Sequence, residues 1–363
     1  MKQFKEFKNL SIATLMAAAL FTACSNDDNS IVDKPTLGRT VTWNINTQGN
    51  AIVGAGEYWI IKGTREQANN SIIIGDGATV VLSGVNIKAK NGEDASAGIT
   101  CLGDATIVLE TGTENIVTGA SYYPGITVST ENKIGTLTIK GVGSLEAQSS
   151  FWAPGIGCPY YDNNESSGVK MDCGNIVIEN GNITAYGSGY SAAIGSSGPN
   201  KCGDITIKGG NVTATSVDSG PGIGCSGFEN GSSCGNITVL GGVVNAKGSD
   251  NAPAIGCGFK KGTSCGDILI DGGVVNADTG DSDYGPGIGS IGEGVCGSIT
   301  ITYKVTKVTS LAGKDAPFSI GLDHDTPGHC GPITIGGIVY WNGNEFLNDG
   351  KDYLAQKPFV YEP

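Results

Sequence analysis

Arginine is almost absent from this 363-residue chain; Arg39 and Arg65 are its only two. Lysine and arginine together number 22 against 35 aspartates and glutamates, a formal charge of −13. That deficit argues against nucleic acid as a partner, because phosphate binding rests on clustered basic side chains. Residues 1–23 hold Lys2, Lys5 and Lys8 against Glu6, so the remaining chain sits near −13 − 2 = −15. An anionic membrane surface does not attract such a body. Long apolar runs are missing beyond the N-terminus, which leaves no transmembrane helix of roughly 18 or more residues. Helical periodicity of useful length is missing from the repeats described below.

Glycine is abundant instead, at 59 of 363 residues, about 16% against a usual value near 7%. It follows no G-X-Y period, and hydrophobic residues make up 39% of the chain, so neither collagen nor simple disorder fits. The N-terminus reads as an address. A basic start leads into an apolar run from Leu10 to Ala23 and then Cys24, the pattern of a signal peptide over residues 1–23. Small residues before a lone cysteine resemble a bacterial lipobox. Ser25-Asn26-Asp27-Asp28-Asn29 resembles the acidic export signal of Bacteroidetes surface lipoproteins. These resemblances imply lipidation at Cys24 and attachment to the outer membrane, exposed at the cell surface. Residues 24–38 read as a lipidated, flexible tether.

One phrase then repeats. It runs Pro221-Gly222-Ile223-Gly224-Cys225, a polar loop, Cys234-Gly235-Asn236-Ile237-Thr238-Val239, then Gly241-Gly242-Val243-Val244-Asn245-Ala246. Copies centre on Ile99, Ile126, Ile156, Ile194, Ile255, Ile288 and Ile320, each about 31 residues from the next. Each copy holds three short β-like pieces separated by Gly, Asn, Asp or Ser. Such a unit cannot bury its own apolar face, so neighbouring copies must supply the core. The expected fold is all-β, a three-faced right-handed parallel β-helix of about 8–9 coils. It spans residues 39–343, with 39–57 capping the N-terminal end, 58–94 as a less regular coil and 344–363 as a C-terminal cap. A β-propeller needs blades of about 40 or more residues, and the period here is too short.

The Gly-Ile-Gly, Cys-Gly-Asp/Asn-Ile-Thr-Ile and Gly-Gly-Asn-Val-Thr-Ala phrases, with Gly84-Val85-Asn86-Ile87-Lys88-Ala89 upstream, resemble the polysaccharide-lyase-like β-helix family that binds carbohydrate. The resemblance covers roughly residues 58–340. It implies a right-handed parallel β-helix that binds plant-type polysaccharide, with calcium in some members. The repeated residues are those a coil needs, so they specify fold better than ligand.

Ten cysteines remain beyond Cys24. Cys173, Cys202, Cys234, Cys265, Cys296 and Cys330 share one position of successive coils; Cys158, Cys225 and Cys257 share an earlier one. In an exported protein, Cys158–Cys173, Cys225–Cys234 and Cys257–Cys265 are candidate disulfides. Cys202, Cys296 and Cys330 lack such a partner, since Ser197, Ser290 and Leu322 stand near the earlier position. A stack of buried thiols is the alternative. No pair has the CxxC spacing of zinc or redox chemistry.

Four residues before the core isoleucines the chain reads Tyr122, Trp152, Tyr190, Ser219, Asn251 and Tyr284. Three aromatics in consecutive coils would line one edge, where flat rings can stack on the apolar faces of sugars. Tyr160, Tyr161, Phe228 and Phe259 would extend that surface; a structural stack covering a turn is the competing reading. After each Cys-Gly comes Asn175, Asp204, Asn236, Asp267 or Ser298, a series suited to a side-chain ladder bonded amide to amide. Asp204 and Asp267 could instead hold Ca²⁺, as could Asp278, Asp281 and Asp283. Asp323, His324, Asp325 and His329 form a second possible metal loop, or an exposed polar one.

Non-catalytic polysaccharide binding from the cell surface is the leading expectation, with neutral glucans or mannans preferred by a body this acidic. A polysaccharide-degrading enzyme is the first alternative. Lyase chemistry would need a base such as Lys201, Lys208, Lys260 or Lys261, and hydrolysis would need two opposed carboxylates. An adhesin or structural surface protein is the second.

Overall fold

Inward-facing isoleucines set the register of the whole molecule. In the computed structural model, which describes residues 40–128, 134–160, 171–227, 231–250, 252–280, 283–321 and 330–363, they pair directly from coil to coil. Ile72, Ile99, Ile126, Ile156, Ile194, Ile223, Ile255, Ile288 and Ile320 form one unbroken parallel column, and all are buried. They belong to a ten-stranded sheet, the first face. The strand after each Cys-Gly builds a second face of twelve strands, with Ile176, Ile205, Ile237, Ile268 and Ile299 in one column. The Gly-Gly-Val-Val-Asn-Ala strands build a third face of nine, where Val212, Val244 and Val275 stack beside Ala214, Ala246 and Ala277. Alternation along each strand explains why these residues are buried while Thr206, Thr238 and Thr300 on the second face point outward. Full burial of one Ile or Val side chain stabilises by about 1.5–3 kcal/mol, and each coil shares that gain with its neighbours.

The fold is therefore an all-β parallel solenoid, as the repeat predicts. A feature beyond the three faces is a short fourth sheet at one corner, made by Lys201–Cys202, Ser233–Cys234, Ser264–Cys265 and Val295–Cys296. It lies in the loop between the first and second faces and holds four of the repeated cysteines in register.

Glycine is required where coils approach most closely. Gly224 has φ +137°, and a Cβ there would lie 1.9 Å from the carbonyl oxygen of Gly256 in the next coil. Gly157, Gly195, Gly256 and Gly289 occupy the same position in their coils. This close approach accounts for the glycine that follows the core isoleucine in those coils.

The ends differ from the middle. Val41–Asn44 and Ala51–Val53 pair in parallel with Tyr58–Lys62 and Ile72–Ile74, so much of the segment expected as a simple N-terminal cap contributes strands to two faces. Between them, the four-residue helix Ile45–Gln48 buries Ile45, and Asn44 Oδ1 accepts the N–H groups of Asn46 and Thr47. At the other end the chain reverses. Ile338–Trp341 returns antiparallel on Ile333–Ile335, and Phe359–Tyr361 lies antiparallel on Val308–Ser310. Trp341, Leu354 and Phe359 are buried against the last coils. An antiparallel return needs only a short connection, whereas another parallel strand would require a full crossover. Among the described residues no helix is long and apolar enough to cross a membrane.

Candidate functional site

The turn leading from the third face into the first carries the aromatic series, and its backbone is unusual. Tyr122, Trp152 and Tyr190 have φ of 70°, 52° and 64°, a left-handed conformation that bulky side chains rarely adopt. Ser219 shares it at 31°. Backbone hydrogen bonds between coils hold the turns: Tyr122 N–H donates to Phe151 O at 2.7 Å and Tyr190 N–H to Asp218 O at 3.1 Å. Asp218 also accepts the Gly189 N–H at 3.1 Å.

Trp152 is the hub of the cluster. Tyr122 and Tyr190 meet it edge-on, with ring centres 6.4 and 5.6 Å away and interplanar angles of 79° and 82°. The three rings are consecutive, as their spacing predicts, yet they share no common plane. The near-parallel pair is Phe151 on Trp152, at 5.3 Å and 30°. Phe151 is 48% exposed and falls outside the expected aromatic series, because Trp152, the residue after it, is the one that stands four positions before core Ile156. The signal available was a large apolar side chain at a strand end. Tyr160, expected on the binding surface, is instead 2% exposed. It packs edge-on beneath Trp152 at 5.1 Å and 5.9 Å from Tyr122, and so forms part of the support. Tyr284 is half-exposed but lies beyond the coils of Ser219 and Asp250, and Gly285 takes the positive φ in its turn. Tyr161, Phe228 and Asn251 lie outside the described residues. The arrangement offers an apolar aromatic patch with Phe151 outermost, suited to one sugar face more than to a coplanar track.

The side chains after Cys-Gly form a ladder of a different kind from the one expected. Asp204 N–H donates to Asn175 Oδ1 at 2.9 Å, Asn236 N–H to Asp204 Oδ1 at 2.8 Å, and Asp267 N–H to Asn236 Oδ1 at 2.9 Å. Ser298 closes the series through its N–H and Oγ, at 2.7 and 2.9 Å from Asp267 Oδ1. Side-chain oxygen thus meets backbone N–H, and carboxylate and amide serve equally. Asp76 and Asp104 continue the pattern upstream. Amide-to-amide bonding occurs on the third face instead, from Asn276 Nδ2 to Asn245 Oδ1 at 2.9 Å. For calcium the geometry is poor. Asp204 and Asp267 stand two coils apart, about 9.5 Å along the axis, whereas ligands on one Ca²⁺ lie within about 5 Å of each other. Asp278 Oδ1 accepts the Gly280 N–H. Asp281, Asp323, His324, Asp325 and His329 lie outside the described residues, as does Cys24.

Four segments, residues 176–198, 205–227, 237–259 and 268–293, match the model of the beta helix repeat family. Each begins at an inward isoleucine of the second face and runs past the following Gly-Ile-Gly or Ala-Ile-Gly turn. Between residues 176 and 293 the chain thus carries repeats similar to those of that family. Searches among curated proteins and among solved structures find no match.

In this parallel β-solenoid the repeated cysteines line the interior near one corner. Cys158 and Cys173 form a disulfide with Cα atoms 5.2 Å apart. Cys225, Cys234, Cys257 and Cys265, the other two candidate pairs, are free buried thiols. Ser196, next to the Gly195 that pairs with Gly224, takes the place of Cys225 one coil earlier, and its Oγ lies 2.8 Å from Ser232 Oγ. The Cys158, Cys173 and Cys202 sulfurs lie within 4.8 Å of one another. With two of them bonded together, Cys202 alone could offer a thiolate, and burial pushes its thiol up to about 12. Two of the four lysines considered as bases have structural contacts: Lys208 pairs with Glu179 at 3.1 Å, and Lys260 lies 5.3 Å from the centre of the Phe259 ring, while Lys201 and Lys261 are exposed.

Proposed function

We propose that this protein is a lipid-anchored, surface-exposed β-helix of the polysaccharide-lyase-like type, which binds polysaccharide without cleaving it. Residues 1–23 act as a Bacteroidetes-type lipoprotein signal, and Cys24 carries the lipid that holds the solenoid at the outer membrane. The observation that carries the reading is the aromatic patch on one coil edge, where half-exposed Phe151 lies nearly parallel to Trp152 beside Tyr122 and Tyr190. An exposed aromatic group of this size on a solenoid edge suits the apolar face of a sugar. The net negative charge favours neutral glucans or mannans over polyanionic chains.

The test is retention of the protein on insoluble glucan and mannan, with calcium or with chelator, while reducing and unsaturated ends are assayed in the supernatant. Retention without product is expected. A Phe151→Ala Tyr190→Ala variant should lose at least about fivefold in affinity, since each ring contact is worth about 0.5–1.5 kcal/mol, and keep its thermal midpoint within a few degrees. Released product would replace the binding reading with a degrading enzyme. No retention on any glycan would favour an adhesin or structural role, and loss of binding in chelator would assign a calcium requirement.

A further inference from the structure

The corner sheet stacks Cys202, Cys234, Cys265 and Cys296 in register, and an isolated parallel bridge adds Cys330 to the column. Within single coils Cys296 and Cys330 have no cysteine partner, because Ser290 and Leu322 occupy the earlier position. A partner in the next coil serves as well. Cys296 Sγ lies 2.9 Å from Cys330 Sγ, less than about 1 Å beyond a bonded separation near 2.05 Å. Both residues are buried, at 2% and 4% exposure. Neighbouring parallel strands place their Cα atoms about 4.8 Å apart, inside the range of about 4.4–6.8 Å that a disulfide spans.

We propose that Cys296 and Cys330 are joined by a disulfide that fastens the last coil of the solenoid to the one before it. The oxidant is a small disulfide or a disulfide-exchange protein of an oxidising compartment. The Cys296 thiolate attacks one sulfur of that disulfide, whose S–S bond breaks and releases a thiolate that takes up a proton. Cys330 then loses its proton and attacks Cys296 Sγ, expelling the second reagent sulfur as a thiol. Two protein thiols and one reagent disulfide thus become one protein disulfide and two reagent thiols. Hydrogen bonding with Cys265 and then Cys330 draws the Cys296 thiol below its ordinary range, which suits it to the first attack. Cys265 is the competing partner, but it also has Cys234 and Cys257 within hydrogen-bonding reach, whereas Cys330 has Cys296. The last coil is where such a bond matters, because a terminal repeat has a solenoid neighbour on one side only.

The test is peptide mapping of the full wild-type chain, refolded with oxidised glutathione, alkylated without reductant and digested. The expected product is a peptide containing Cys296 linked to one containing Cys330, lighter by two hydrogens than the free pair. Hydrogen exchange at Ile333–Ile335 should accelerate at least about tenfold when that bond is reduced. Two alkylated cysteines after refolding, or a Cys265–Cys296 link in place of the expected one, would overturn the proposal. The mapping requires no variant to fold, and its outcome does not depend on whether the protein binds glycan.

Discussion

Taking a thiol out of water penalises its ionised form, and burial holds Cys101 and Cys202 up at about 12. An unfolded chain releases the same proton near 8.5. Between those values the unfolded state carries fewer protons than the folded one, so stability is complete below about pH 8.5 and declines as pH rises toward 12. At pH 10 the loss is about 2 kcal/mol for each of these two thiols. Urea midpoints of reduced protein recorded between pH 7 and 10 should fall accordingly, and Cys101→Ala should flatten the decline. A parent profile that stays level to pH 10 would show that these thiols are not desolvated in solution. At this scale the sequence was readable in part. The spacing of Tyr122, Trp152 and Tyr190 placed them on one edge, but nothing in those residue types announces a left-handed φ, which Tyr and Trp rarely adopt. The burial of Tyr160 was hidden for a related reason, because it depends on Trp152 folding over it.

The strand and its immediate neighbour are the unit in which the repeat has meaning. A β-strand seldom tolerates glycine, yet Ile-Gly recurs along the first face because each coil's Gly approaches the carbonyl of the next. Gly224→Ala would force a Cβ to 1.9 Å from Gly256 O at a φ of +137°. Backbone must move in two coils, so the cost combines left-handed strain of about 1–2 kcal/mol with overpacking of about 1–3 kcal/mol. The expected loss is about 2–5 kcal/mol, measured as a lower denaturation midpoint, while Leu240→Ala on the exposed side of the second face should change it by less than about 0.5 kcal/mol. Equal effects from the two substitutions would contradict the coil register. The core columns were legible because period-two alternation and the coil period converge on the same Ile and Val positions. The Asx ladder was legible only as a series. Which atoms bond depends on the offset between coils, and that offset directs each side-chain oxygen to a backbone N–H of the following coil.

A solenoid has two ends, and an uncovered sheet edge is a template for pairing with another chain. Here Ile338–Trp341 covers the edge of the second face and Phe359–Tyr361 that of the third, both antiparallel to the strands they protect. Trp341 donates from Nε1 to Cys330 O at 3.2 Å, while Tyr340 stacks on Tyr353 at 4.4 Å and Tyr353 meets Phe359 edge-on at 5.2 Å. The aromatic residues of the tail therefore bind the strand Ile338–Trp341, the short helix Gly350–Leu354 and the strand Phe359–Tyr361 into one cover. Removing residues 338–363 would expose Ile333–Ile335 and Val305–Leu311 along their outer edges, leaving unpaired N–H and C=O groups beside newly exposed apolar side chains. Repeats near the middle keep both neighbours, so their nearest-neighbour contacts survive the deletion. The truncated chain should thus retain its β-rich circular dichroism while forming concentration-dependent oligomers on size-exclusion chromatography. Lysine substitutions at Thr334 and Thr309, outward-facing positions on the two exposed edge strands, should suppress that association, because inserted charge opposes edge pairing. A truncated chain that remains monomeric at high concentration would show that these strands are not the cover of the solenoid's end. Oligomers that lysine leaves intact would place the contact on another surface.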